Sequence, residues 1–225
     1  MNKLLIDGDI VVYAMGFSAD KDMLPWQDTK AKVYEFLESI KEGSGVSESQ
    51  IYLTGVGGNY REEIYPDYKG NRDADNKPVW YSEIREYLST TLGAITADGM
   101  EADDAMGLAQ TENTVIATID KDLRTVPGWH YNWNKVNEGL VHVEPLDAFR
   151  TFCIQCLTGD STDNIPGMFK IMGKKAMPKI KRPLFDLKNK EEMWDYVEDI
   201  YKDHLKDLEM IVPLLWIRHT YRVWD

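Results

Sequence analysis

Three short apolar runs constrain this chain more than any other feature: Lys3-Leu-Leu-Ile-Asp7, Gln50-Ile-Tyr-Leu-Thr54 and Thr114-Val-Ile-Ala-Thr-Ile-Asp120. Each is too short for a helix and rich in branched residues, as a strand buried on both faces must be. Between them lie stretches of helical spacing: Ile10–Phe17, Lys30–Lys41 with Val33, Phe36, Leu37 and Ile40 on one face, and Val79–Leu88 behind Pro78. Ala94–Ala97 reads as a further short strand, Gly128–Val143 as a hairpin-like passage with Trp129 and Trp133, and Pro145–Leu157 as helix. Strands alternating with helices predict an α/β fold with a mostly parallel central sheet flanked by helices. Ligands of such sheets sit beyond the carboxyl ends of the strands. Asp7 and Asp120 stand at such ends, and Asp122 follows at once; Asp9, after the turn at Gly8, reads as a helix cap instead.

A second acidic group, Gly99-Met-Glu-Ala-Asp-Asp-Ala-Met-Gly107, places Glu101, Asp103 and Asp104 within four positions at the start of an apolar helical run. On a helix, residues three apart share a face. Three carboxylates this close repel unless a cation holds them. The helix dipole offers only about 0.3–1 kcal/mol at its N-terminus, too little to offset the repulsion. Asp160 and Asp163 add two more acids ahead of a basic segment. The plain reading is a set of solvated helix starts. Five separate acidic coincidences at element ends argue for one crevice gathering Asp7, Glu101, Asp103, Asp104, Asp120, Asp122, Asp160 and Asp163 around divalent metal. Ligands that are all oxygen point to Mg²⁺ or Mn²⁺, two or more ions, rather than zinc.

The 225 residues suffice for one large domain or a domain with an appendage, and 43% hydrophobic residues can bury a core. No apolar run approaches the roughly 18 residues of a membrane span. The first acid comes too early for a signal peptide, so a cytoplasmic, reduced setting is expected. Cys153 and Cys156 form a lone C-x-x-C read as core packing, a redox motif being the alternative.

A net charge of −12 argues against nucleic acid only if the charges are evenly spread. They are not. Met168–Phe185 holds Lys170, Lys174, Lys175, Lys179, Lys181 and Arg182 without one acid. Asn164-Ile-Pro-Gly167 followed by Gly173-Lys-Lys-Ala176 reads as helix, hairpin, helix, whose amides and lysines would grip a phosphate backbone without reading sequence; the plain alternative is an exposed basic loop. Lys69 and Arg72, among Tyr65, Tyr68 and Trp80, suit a strand splayed against stacking rings; an ordinary surface loop explains the same residues.

L-I-D-G-D at 5–9, Y-K-G-N-R at 68–72, M-E-A-D-D at 100–104, D-K-D-L at 120–123 and G-D-S-T-D-N-I-P-G at 159–167 occur in that order. In these motifs the chain resembles the flap endonuclease and 5′→3′ exonuclease superfamily, over about residues 3–180, and looks most like the stand-alone phage members. The resemblance implies a PIN-like 5′ nuclease core over 1–150, with an arch or clamp at about 60–90. It also implies a helix–three-turn–helix DNA-binding element in 151–225, with C-terminal helices packing back on the core. It implies that the eight acids bind metal and that Lys69 and Arg72 are catalytic, acting on the scissile phosphate. Tyr68, Lys69, Arg72, Lys170, Lys174, Lys175 and Lys179 would contact nucleic acid. The implied partner is double-stranded DNA with 5′ ends or flaps, with an RNA–DNA hybrid as a further candidate, and a K⁺ ion at the helix–hairpin element. A monomer is expected. Two departures stand out. The family usually has a metal-site Asp at the end of the second strand, where this chain has Thr54 and Gly55; and Lys170 and Met172 stand where hairpin glycines are usual. Two rivals remain: a phosphatase of the haloacid-dehalogenase type, using Asp7 and Asp9 as D-x-D, and a non-catalytic DNA-structure-binding protein.

Overall fold

The computed structural model describes residues 1–73 and 76–219. Its strands are β1 (Lys3–Asp7), β2 (Ser49–Thr54), β3 (Ile95–Ala97), β4 (Thr114–Ala117), β5 (Gly128–Tyr131) and β6 (Leu140–Val143). They form one sheet in the order β3-β2-β1-β4-β5-β6. All neighbours are parallel except β6, which closes the edge antiparallel to β5. The helices are α1 (Gly8–Lys21), α2 (Trp26–Ser44), α3 (Tyr60–Ile64), α4 (Tyr81–Glu86), α5 (Ala102–Ala109), α6 (Pro145–Thr158), α7 (Phe169–Met172), α8 (Met177–Lys181), α9 (Lys190–Tyr201) and α10 (Leu205–Leu215).

Side chains alternate across the strands. Leu4 and Ile6 of β1 join the helices α1, α2 and α4 in one apolar cluster. Leu5, with Ile116 of β4, faces the other way onto α5 through Ala102 and Met106. The β1–α1 junction has no loop. Gly8 is already helical, and a Cβ there would stand 2.5 Å from the Tyr52 carbonyl oxygen. That close approach is what glycine permits, and it sets the carboxyl end of β1 directly against the start of α1.

A third cluster surrounds α6 and takes in Phe152, Val197 of α9, Ile211 of α10 and Trp216. The chain then returns to the sheet: Ile217 joins the α5 cluster. Gly107 makes this possible, since a Cβ there would lie 2.2 Å from the Arg218 carbonyl oxygen. The division expected at 150/151 falls inside α6.

The helix, hairpin, helix reading of 164–176 resolves differently. Residues 164–167 are not helical; α7 is a single turn, Gly173 at φ 81 breaks it, and a 3-10 turn over Lys174–Ala176 leads into the five residues of α8. Pro178 and Pro183 remove amide donors and keep these segments short.

Candidate active site

The carboxyl ends of β1 and β4, the start of α5 and the loop after α6 meet in one crevice. A cavity of about 510 Å³ is lined by Asp7, Glu101, Asp103 and Asp120 with Lys69 and Arg72. A neighbouring cavity of about 160 Å³ shares all of these but Asp7 and adds Asp122, Asp160 and Asp163. Seven of the eight expected acids therefore line these two adjoining cavities.

Asp7 is buried. It caps α1 by accepting from the Ile10 amide at 3.1 Å, and accepts from the Thr118 hydroxyl at 2.8 Å. Thr118 in turn accepts from the Asp120 amide at 3.0 Å, and Asp120 from the Asp122 amide at 2.8 Å. Burial, with lesser repulsion from Asp9 and Asp120, pushes the Asp7 carboxyl up to about 7 against those two hydrogen bonds. Asp103 is raised well above the carboxylate range, first by desolvation and then by Asp7, Asp120 and Glu101. Asp122 is raised by burial, by Asp120 and by Asp160, while the Asp160 carboxyl is lowered by the Thr162 amide and by Asp122 although burial works the other way. Gln155 donates to Asp122 at 2.7 Å, and its buried Oε1 finds no partner among the described residues.

Positive charge enters from the turn at 65–72. Lys69 pairs with Glu101 and stands 3.7 Å from Asp163; Arg72 pairs with Asp163. The Tyr68 hydroxyl lies 3.0 Å from both Glu101 and Asp163, with one proton for two carboxylates.

Three expectations are corrected. Asp104 does not face the crevice. Fully buried, it takes a two-pronged pair from Arg61, at 2.5 and 2.9 Å, and accepts from the Arg218 amide at 3.0 Å. Successive residues of a helix point about 100° apart, so Asp103 turns to the crevice while Asp104 turns to the C-terminal segment. Tyr68 cannot stack on a base: its ring is buried in the α6 cluster, and Tyr65 packs beside it. Trp80 likewise packs against Trp26 and donates to the Leu24 carbonyl at 2.9 Å. Asp9 does not cap α1, the role Asp7 takes. Asp9 pairs with Arg85 at 2.7 Å and accepts from the Thr54 amide at 2.9 Å, which commits the second acid that a D-x-D phosphatase site would need.

Sequence reading missed Arg61, Thr118, Gln155 and Asn59, which holds Arg61's amide at 2.8 Å and approaches Glu101 at 3.4 Å. Thr118 was legible from its place two residues before Asp120, the spacing of a local hydroxyl-to-amide bond; Arg61 had no local signal. The second-strand vacancy also has an occupant. The Thr54 hydroxyl accepts from the Ala102 amide at 2.9 Å and so fixes the start of α5. Lys170, Lys174, Lys175 and Lys179 are exposed, and among the described residues none is paired with a carboxylate.

Among the described residues no three acidic, histidine or cysteine side chains converge closely enough to hold an ion as they stand. The donor set nonetheless fits a hard cation. Its ligands are carboxylate oxygens only, and Lys69 and Arg72 pair with Glu101 and Asp163, leaving the raised Asp7, Asp103 and Asp122 without an ion pair among the described residues.

No family model matches the chain. It is 30% identical over 189 residues to the exodeoxyribonuclease of Enterobacteria phage T3, covering 73% of this chain and 62% of that protein. It is 25% identical over 234 residues to the 5′-3′ exonuclease of Buchnera aphidicola from Acyrthosiphon pisum, covering 92% and 78%. The chain thus spans about 62% of the length of the T3 relative, and of a T7 exonuclease that matches similarly. In fold it matches the flap endonuclease of bacteriophage T5, solved with DNA and metal ions, at a TM-score of 0.64 and 18% identity over 94% of this chain and 89% of that one. Motif order and fold agree with these relatives: the chain is similar to phage and bacterial 5′→3′ exonucleases, and its fold is that of the T5 flap endonuclease.

Proposed function

We propose that the chain is a divalent-metal-dependent 5′ nuclease, hydrolysing phosphodiester bonds at DNA 5′ ends or flaps. The observation that carries this reading is the crevice itself: seven carboxylates at the ends of strands and helices, rimmed by Lys69 and Arg72. Mg²⁺ or Mn²⁺ bound there would activate water and neutralise charge on the scissile phosphate. Asp7, Glu101, Asp103 and Asp120 would hold metal on one side, and Asp122, Asp160 and Asp163 on the other. Lys69 and Arg72 stand on the rim, where a phosphate oxygen can replace their present carboxylate partners and draw their charge onto the reacting group. Thr118 keeps Asp7 and the Asp120 loop in register. The lysines of 170–179 supply phosphate contacts to the duplex. RNA–DNA hybrids, a K⁺ ion at the helix–hairpin element and a monomeric enzyme belong to the same reading.

The test is incubation with end-labelled duplex DNA, 5′-flap DNA and p-nitrophenyl phosphate, each with EDTA and with Mg²⁺. Release of short 5′ products from DNA only with Mg²⁺ is expected. Hydrolysis of the phosphomonoester alone, or DNA binding without cleavage, overturns the proposal.

A further inference from the structure

Lys69 and Arg72 stand on neither a helix nor a strand. Their turn is a series of single reversals: the Tyr68 amide donates to Tyr65, Gly70 to Asp67 and Arg72 to Lys69, each at 2.9 Å. Lys69 itself sits in the left-handed region at φ 55, which disfavours a residue with a long side chain. Something outside the turn must therefore hold it.

The loop after α6 does so. The Lys69 amide donates to the Asp163 carbonyl at 2.9 Å. The Asn164 side chain donates to the Asp67 carbonyl at 2.8 Å, and Asn71 returns a bond to the Ser161 carbonyl at 2.8 Å. Asn164 is also left-handed, at φ 59, a conformation that asparagine tolerates. Two left-handed residues, one from each loop, thus close a reciprocal clasp. Asn164 was read from sequence only as part of the duplex-gripping motif.

We propose that Asn164 is a positioning residue for the proposed reaction: its carboxamide fixes the 65–72 turn so that Lys69 and Arg72 face the crevice. It touches no reacting atom and acts through those two side chains. The clasp also ties the start of the basic segment, Lys170 onward, to the residues that meet the phosphate.

The inference rests on the nuclease reading, so its test has one readout independent of activity. Asn164→Gly is the chosen variant: glycine takes φ 59 without strain, lacks the carboxamide and adds no charge. By hydrogen exchange, amides of 65–72 should exchange about tenfold faster in Asn164→Gly, with those of β1 and β4 unchanged. On flap DNA with Mg²⁺, kcat should fall about tenfold, the scale of one lost hydrogen bond, with KM within about twofold. In the Lys69→Ala/Arg72→Ala background the same change should cost less than about twofold, because the groups it positions are gone. An equal loss in both backgrounds, a loss confined to KM, or unchanged exchange over 65–72 overturns the inference. A wild-type chain that cleaves no DNA overturns the function instead, and the exchange measurement still decides whether Asn164 holds the turn.

Discussion

Asp103 and Asp104 are neighbours in one helical turn, and their surroundings could hardly differ more. Asp104 is wholly buried and met by Arg61, the Arg218 amide and the backbone of its own helix start, where the Glu101 amide donates to it at 3.2 Å. Arg61 is equally committed, donating to the carbonyls of Leu214 and Trp216 at 2.9 Å. Asp103 faces Asp7, Glu101 and Asp120 with only Lys69 to relieve it. One carboxylate is therefore compensated within the chain and joins α3, α5 and the C-terminal segment. The other has only the indirect relief of Lys69, which is itself paired with Glu101. A protein that merely needed a stable helix start would have no use for the second kind.

The largest effects should separate the two residues. Asp103→Asn should reduce cleavage to background and raise the melting temperature in EDTA, since it removes one of several repelling charges. Asp104→Asn, and more so Arg61→Met, should destabilise the fold. Stripping one partner from a buried pair leaves an uncompensated charge, at a cost of about 3–5 kcal/mol. Urea unfolding of the three variants in EDTA tests this. If Asp104→Asn is as stable as wild type, the contrast between the two carboxylates fails.

The split was only partly legible in the sequence. The sheet, its parallel order and the acids at its strand ends followed from short branched runs and helical spacing, because those patterns are local. That Asp104 belongs with Arg61 could not be read, since the partners lie 43 positions apart and meet through tertiary packing. Tyr68 was misplaced for the same reason. Its polar neighbours at 66–72 suggest surface, while burial of its ring is set by α6 and the C-terminal helices. Thr54 was seen as a missing acid, and its hydroxyl's bond to α5 became visible only when the strand and helix were placed side by side.

His130 offers a third kind of burial: a base kept neutral. It is buried on β5, with its Nε2 2.8 Å from the Val126 carbonyl, and desolvation pushes its pKa down to about 4 against that bond. The unfolded chain binds this proton near pH 6.5 and the folded chain does not, so the unfolded state holds more protons across that window. Stability from His130 is thus full above about pH 6.5 and is lost as pH falls toward 4. Between pH 7 and 4.5 the loss should be roughly 2–3 kcal/mol. Raised acids such as Asp7 work in the opposite sense, so the quantity to measure is the difference between wild type and His130→Gln at the two pH values. A difference that does not change with pH places His130 in the compensated class with Asp104.

Metal should act on the uncompensated class alone. An ion that binds only the folded chain stabilises it by about 2.7 kcal/mol at a hundredfold excess over Kd. Mg²⁺ should raise the melting temperature of wild type and of Asp104→Asn, and raise it less in Asp103→Asn. NaCl of equal ionic strength should do less in all three. Equal Mg²⁺ shifts in all three chains would mean that Asp103 is no part of the binding set.

The smallest effect concerns Thr54, which lies between the two classes. Its hydroxyl accepts from Ala102, beside Glu101, so it holds the acidic helix start without carrying charge. Thr54→Val should cost about 0.5–1.5 kcal/mol, the net worth of that hydrogen bond, and leave the Mg²⁺ requirement nearly unchanged. Thr54→Asp retains an oxygen acceptor for the Ala102 amide and brings a carboxylate to the end of β2. It should therefore lower the Mg²⁺ concentration for half-maximal activity. Gly55→Asp cannot serve the same purpose, because a Cβ at Gly55 would stand 2.3 Å from the Ala97 carbonyl oxygen across the β2–β3 pair. A Mg²⁺ titration of flap cleavage by wild type, Thr54→Val and Thr54→Asp decides the matter. If Thr54→Asp requires as much Mg²⁺ as wild type, the end of β2 lies outside the metal crevice, and the threonine is there to anchor the helix that carries Asp103.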